Sequence, residues 1–171
     1  AQLSWQKNQW GWAIRYRIRT RKKDITGKKG TVPYTEQRIR AAATYNNNGW
    51  NLQTQADMAL CRFTQNSFGI MLTENAGYNY KRLRTNLTIG YFHTDDYNSR
   101  LYTYERGVLY NLSFPCFYGK GIRLALNTRV DFTSHLMLTG KIGMTKYFDR
   151  QVIGSGLQRI NGSSITDLEV Q

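Results

Sequence analysis

The stretch Trp10-Gly11-Trp12-Ala13-Ile14-Arg15-Tyr16-Arg17-Ile18-Arg19-Thr20-Arg21 decides the fold. One parity reads Trp10, Trp12, Ile14, Tyr16, Ile18; the other reads Ala13, Arg15, Arg17, Arg19, Arg21. Period two sustained over about twelve residues marks a β-strand with one apolar and one cationic face. Wound as a helix, the same residues would scatter arginines around the circumference and leave no apolar stripe.

The pattern returns along the chain. Residues 82–93 set Leu83, Thr85, Leu87, Ile89 and Tyr91 against Arg82, Arg84, Asn86 and Thr88. Residues 121–132 set Ile122, Leu124, Leu126, Thr128, Val130 and Phe132 against Arg123, Ala125, Asn127, Arg129 and Asp131. Residues 50–60 oppose Trp50, Leu52, Ala56, Met58 and Leu60 to Asn51, Gln53, Gln55 and Asp57. Weaker alternation occupies 35–45, 67–78, 100–114, 135–148 and 164–171. This gives about nine strands and no convincing helix. Asn46-Asn47-Asn48-Gly49, Gln65-Asn66-Ser67, Asn79-Tyr80-Lys81 and Thr133-Ser134 read as hairpin turns, since Asn and Gly tolerate positive φ. The expected fold is an all-β antiparallel meander. Longer connections fall at 22–34 and 149–163, and counting 100–114 as a strand places them on opposite rims.

Composition narrows the class. The 171 residues carry 24 Lys and Arg against 11 Asp and Glu, a net charge of +13, with 13% aromatic residues. That aromatic load excludes a disordered chain. No run approaches about 18 apolar residues, so no transmembrane helix is expected. The charge fits nucleic acid, an acidic lipid surface or a basic channel. Ala1 opens without a signal-peptide pattern, and Thr166–Gln171 stops within an alternating run. Residues 1–171 are therefore expected to be a segment of one barrel domain, truncated at both ends.

Strand length favours a membrane barrel over a soluble one: the best strands run about eleven to fourteen residues, against about 9 to 11 needed to span a bilayer. Aromatic residues gather at strand ends, where interfacial girdles sit, and Trp10, Trp50, Tyr91 and Tyr147 are the expected interfacial set. Each Arg turned to lipid near the midplane costs about 2 to 4 kcal/mol. The basic parity is therefore expected to line a wet lumen: Arg15, Arg17, Arg19, Arg38, Arg40, Arg82, Arg84, Arg123, Arg129 and Lys141. The competing reading is a solvated face paired with Glu36, Asp57, Glu105, Asp131 and Glu169. Trp12, Ile14, Ile18, Leu87, Ile89, Ile122, Leu124, Leu126 and Val130 are expected to face lipid. The expected fold class is thus an antiparallel transmembrane β-barrel, part of a larger one.

Residues 94–105 (Thr-Asp-Asp-Tyr-Asn-Ser-Arg-Leu-Tyr-Thr-Tyr-Glu), then Val108-Leu109-Tyr110, Phe114-Pro115, Tyr118-Gly119-Lys120-Gly121 and Ile153-Gly154-Ser155-Gly156-Leu157-Gln158-Arg159-Ile160-Asn161-Gly162 carry a resemblance. They resemble a Bacteroidota outer-membrane family in which a periplasmic helix-hairpin-helix region, related to competence DNA-binding domains, precedes a porin-like barrel. The resemblance spans roughly residues 10–171. It implies the outer membrane of a Gram-negative cell and brings no catalytic residues. Family members end on an aromatic residue, whereas this sequence ends on Gln171.

Other constellations are weak. His93 and His135, the only histidines, lack ligand spacing, so no metal is expected. Asp95, Asp96 and Asn98 lack the acidic ladder of a calcium loop and read as a polar turn. Cys61 and Cys116 read as unpaired thiols, although an oxidising compartment permits a disulfide. Gly119-Lys120-Gly121 and Gly154-Ser155-Gly156 open no helix and read as turns. No catalytic triad or carboxylate pair is evident, so neither enzyme activity nor a cofactor is expected. Around residues 16–23 cations and aromatics fall on opposite faces, which argues against direct nucleic-acid binding. The expected function is a porin-like barrel whose basic lumen passes small anionic solutes. Its surroundings would be outer-membrane lipid and lipopolysaccharide. The alternative is a non-conducting architectural subunit of a larger outer-membrane complex serving secretion, assembly or nutrient uptake, contacting other outer-membrane or periplasmic proteins. DNA uptake follows only from the family analogy.

Overall fold

The computed structural model describes residues 1–24, 30–108, 114–133, 135–154 and 156–171, with residue 158 as backbone only. In chain order come β1 (Gln2–Lys7), β2 (Trp10–Asp24), β3 (Thr31–Asn47), β4 (Trp50–Arg62), β5 (Asn66–Tyr80) and β6 (Leu83–Thr94). Then follow β7 (Leu101–Tyr102), β8 (Cys116–Phe117), β9 (Lys120–Asp131), β10 (Met137–Tyr147), β11 (Val152–Ile153), β12 (Ile160–Asn161) and β13 (Ser164–Val170). Nine of them form one antiparallel sheet, ordered β1-β2-β3-β4-β5-β6-β9-β10-β13. The pairs β7-β8 and β11-β12 are separate two-stranded ladders. Among the described residues there is no α-helix, and β1 and β13 each have one partner strand, so the sheet is open.

The all-β meander is thus observed, with one exchange among its strands. The expected strand at 100–114 does not join the sheet: β6 pairs directly with β9 across residues 95–119. Residues 109–113 of that expectation, like Ser134 and Ser155 of the expected turns, lie outside the described residues. In its place β1 joins the sheet, held to β2 from Gln2↔Arg15 to Lys7↔Trp10. Removing the strand at 100–114 also reorders the rims. The turns at 8–9, 48–49, 81–82 and 132–136 share one end of the sheet; the connections 25–30, 63–65, 95–119 and 148–163 share the other. All the long connections therefore lie on one rim. At the short rim Asn48 and Gly49 take φ of 46° and 84°, the pair of positive values a two-residue type I′ hairpin demands. A Cβ on Gly49 would also collide with the Asn79 carbonyl oxygen.

Burial is inverted relative to a water-soluble sheet. The parity carrying Ile14, Ile18, Leu72, Ile89, Leu124 and Ile142 is exposed, with Ile18 at 57% and Leu72 at 51%. The opposite parity is buried although much of it is polar: Asp57, Thr73, Thr88, Arg123 and Lys141 lie there beside Met71 and Phe92, both at 0%. What covers that face is the described part of the β6–β9 loop, residues 95–108 and 114–119. Ser99, Leu101, Thr103, Glu105 and Phe117 of this loop are themselves buried. With a single sheet layer, loop residues become so enclosed only if the sheet curls around them, so this face is concave. Gly69 permits the close fit, since a Cβ there would strike the Ser99 carbonyl oxygen.

Candidate functional site

The concave face begins with a guanidinium ladder. The β2–β3 register sets Arg15 opposite Arg40, Arg17 opposite Arg38, and Arg19 opposite Glu36. Like charges directly across a ladder repel, so each pair needs compensation. Arg40 Nε donates to Asp57 Oδ1 at 2.6 Å, and Arg38 Nε donates to Glu36 Oε1. Their remaining Nη2 groups hold the loop, Arg38 on the Arg100 carbonyl at 3.1 Å and Arg40 on the Tyr102 carbonyl at 3.2 Å. Arg15 Nε reaches only the neutral Gln2 Oε1, at 3.0 Å. Arg17 and Arg19 have no carboxylate partner among the described residues. Arg15, Arg17, Arg38, Arg40, Leu101 and Tyr102 line a cavity of about 230 Å³. With Asp57 and Glu36 engaging Arg40 and Arg38, Arg15 and Arg17 leave this cleft with a net positive charge.

Across the concave face lies a second, neutralised cluster. Both Glu105 carboxylate oxygens accept from Arg123, at 2.8 Å each, and Lys141 Nζ stands 3.1 Å from Oε2. Arg123 Nη1 also donates to Asp167 Oδ1 at 2.7 Å and to Thr145 Oγ1 at 3.1 Å. Glu105 is 1% exposed, so the loop delivers its charge into a water-poor site. Beyond Glu105 the loop is pinned by Asn127 Nδ2 donating to the Gly107 carbonyl at 3.2 Å. Phe92, Phe117 and Tyr147 pack as an aromatic core, with centroids 5.0 and 5.7 Å apart.

The loop starts in a capped turn. Asp96 Oδ1 accepts from the Asn98 and Ser99 backbone N–H groups at 2.8 and 3.1 Å, and its Oδ2 from Asn98 Nδ2 at 2.9 Å. Burial alone would raise the Asp96 carboxyl, but these donors hold it below its usual range. The Asn98 carbonyl accepts from Cys61 Sγ at 3.2 Å and from the Tyr34 hydroxyl at 3.5 Å. Cys61 and Cys116 are free thiols. At the loop's far end Arg150 stacks over Tyr118 and Tyr147, at 4.6 and 4.7 Å.

Of the basic residues expected to line a lumen, Arg15, Arg17, Arg19, Arg38, Arg40, Arg84, Arg123, Arg129 and Lys141 share the concave face. They stand as three groups: the ladder, the Glu105 cluster, and Arg84 with Arg129 around Asp131. Arg82 does not belong there; it sits in the short β5–β6 turn and donates to the Phe132 carbonyl at 2.6 Å. The nine residues expected to face lipid all lie on the outward parity, and Trp10, Trp50 and Tyr91 join them. Tyr147 is a correction: it points into the concave face and is buried against Phe92, because Lys146 takes the outward position. Sequence reasoning passed over Asp167 and the whole inward-folded loop. It also missed Glu74, a carboxylate on the outward face whose Oε2 accepts from Thr54 Oγ1 at 2.6 Å. Comparison with known protein families, curated proteins and solved structures yields no match for this chain.

Proposed function

We propose that the chain forms an integral outer-membrane β-barrel of porin type, whose basic lumen is narrowed by the loop 95–119 and passes small anionic solutes. The observation that carries this reading is the inverted burial: the apolar face looks out and the charged, hydrogen-bonded face looks in. In water that arrangement would leave the hydrophobic effect unused, whereas in a bilayer it is the stable one. Short turns on one rim and long connections on the other fit the same class. So does the aromatic girdle near the short rim, where Trp10 packs on Tyr45 at 4.7 Å and Trp50 on Tyr78 at 4.6 Å.

The strand tilt implied by the outward apolar runs supports the same reading. The register carries Arg15, at the centre of the outward run Trp12–Ile18, through Arg40, Asp57, Met71, Phe92 and Gly121 to Tyr147. The outward apolar run of β10, Leu138 to Met144, is instead centred on Lys141, about six residues away after six strand steps. One residue per step, at about 3.3 Å along a strand and 4.8 Å between strands, is a slope of about 35°. Barrel strands cross a bilayer at roughly 35–45°. The chain's resemblance to the Bacteroidota outer-membrane family leads to the same location, with no enzymatic role.

Planar-bilayer conductance tests the proposal. An anion-selective reversal potential is expected, shifting toward cation preference when Arg15 and Arg17 are both replaced by Glu. A sealed barrel or native cation selectivity would overturn it. The second reading, a non-conducting architectural subunit, draws on the loop that crosses the concave face, and the sealed outcome would select it.

A further inference from the structure

The outward run of β5 reads Phe68, Ile70, Leu72, Glu74, Ala76, Tyr78, Tyr80, so the carboxylate stands at its centre. The strand slope gives the same depth. Three register steps from Arg15 reach Met71, and a drift of about one residue per step moves the band centre to Glu74. In the membrane reading, on which this inference rests, Glu74 therefore faces outward at the bilayer midplane. An ionisable group there is costly and marks a functional contact.

Toward β4 and β3 the surface beside it is low, while Leu72 and Ile89 rise on its other sides. Ala43, Thr54 and Glu74 lie in one register row, Ala41 and Ala56 in the next, and Ala76 follows Glu74 along β5. Small side chains let another membrane-embedded segment approach closely. Thr54 supplies one hydrogen bond to Oε2, and Oε1 accepts none from the described residues. The described outward-facing bases Lys7, Lys22, Arg62, His93, Lys120 and Lys146 stand within two residues of strand ends, away from this depth. Among the described residues a second copy of the chain thus offers no cation at the depth of Glu74. We infer that the Glu74 patch is a lateral docking site for a different protein, one whose membrane-embedded segment places a Lys or Arg at mid-depth.

The test has two arms, both on the full-length protein. In the first, the purified protein in phospholipid vesicles meets a fluorescent single-span Leu-rich peptide carrying one central Arg, with an all-Leu peptide as reference. Energy transfer to the Arg peptide is expected at least fivefold above the reference, falling to the reference level in Glu74→Leu and Glu74→Gln and retained in Glu74→Asp. In the second, a photo-crosslinking residue at Ala43 or Ala76 is activated in native outer membranes, with Ile142 as a distant control. Adducts at the two alanines are expected to fall at least tenfold in Glu74→Gln and to be absent at Ile142. Failure of either arm overturns the inference. Membrane extraction and heat-shifted electrophoretic mobility are measured on the same variants. A protein absent from the membrane fraction sinks the barrel reading, while a membrane-integrated barrel with Glu74-independent adducts sinks this inference alone.

Discussion

Replacing Glu105 by Ala tests how the loop is held. The carboxylate bridges Arg123 and Lys141 through contacts of 2.8, 2.8 and 3.1 Å in a site 1% exposed. Breaking a buried ion pair by deleting one partner costs about 3–5 kcal/mol. Asp167 still holds Arg123 at 2.7 Å, so about 3 kcal/mol is the better figure here. The sheet need not carry that cost globally, because the loop can lift away and let water reach the two cations. The penalty then appears as local opening. About 3 kcal/mol corresponds to a fall in protection of roughly a hundredfold for the amides of residues 97–107. Native-state hydrogen exchange by mass spectrometry reads this, with the β4 and β5 amides as internal references. Loop protection within threefold of the parent protein would refute the reasoning, since Glu105 would then be a bystander to loop docking. Glu105→Gln, which keeps a hydrogen-bond acceptor and loses the charge, is expected to fall between the two.

Other outcomes follow from the same geometry. Ile142→Arg places a guanidinium on the outward face close to the centre of the β10 band, three strands away from Glu74. It should lower folding stability by about 2–4 kcal/mol in urea titrations from vesicles. A change under about 0.5 kcal/mol would be incompatible with that face meeting lipid. The Asp96 turn should loosen in acid. Its carboxyl is held below the usual 3.8, so its contribution is complete above that value and is lost as pH falls through the lower folded-state range. Exchange of the Asn98 and Ser99 amides should accelerate there, and Asp96→Asn should flatten the dependence. Gly49→Ala should cost about 1–2 kcal/mol by forcing a Cβ into a left-handed turn and against the Asn79 carbonyl, with an unchanged melting midpoint as the contrary result.

The faces of the sheet were readable because period two is the direct imprint of one-sided burial, and β2 shows it without interruption. The same imprint misled at residues 100–114. Leu101, Thr103 and Glu105 alternate inward as strand residues do, because the loop lies extended on the concave wall. Alternation records which side is covered, and pairing is a separate matter of backbone hydrogen bonds. β1 went unread because it is short: Leu3 and Trp5 against Gln2, Ser4 and Gln6 are too few alternations to stand out before the turn at Asn8. Tyr147 was misplaced because an aromatic at a strand end fits a girdle or a core equally, and parity alone decided it. The charge of Glu105 was visible, but its pairing with Arg123, 18 residues on, depends on a loop path that no local pattern encodes.

The Cys61 thiol, buried beneath Asn98, gives the molecule an internal clock. A thiol-reactive probe can reach it only during intervals when the residues above have swung clear. Its labelling therefore proceeds at the rate of loop departure once reagent is abundant, and in proportion to the lifted population when reagent is scarce. Cys116, half-buried near the loop's other end, reports separately on that end. Two native cysteines thus report on the two ends of one segment without any engineered label.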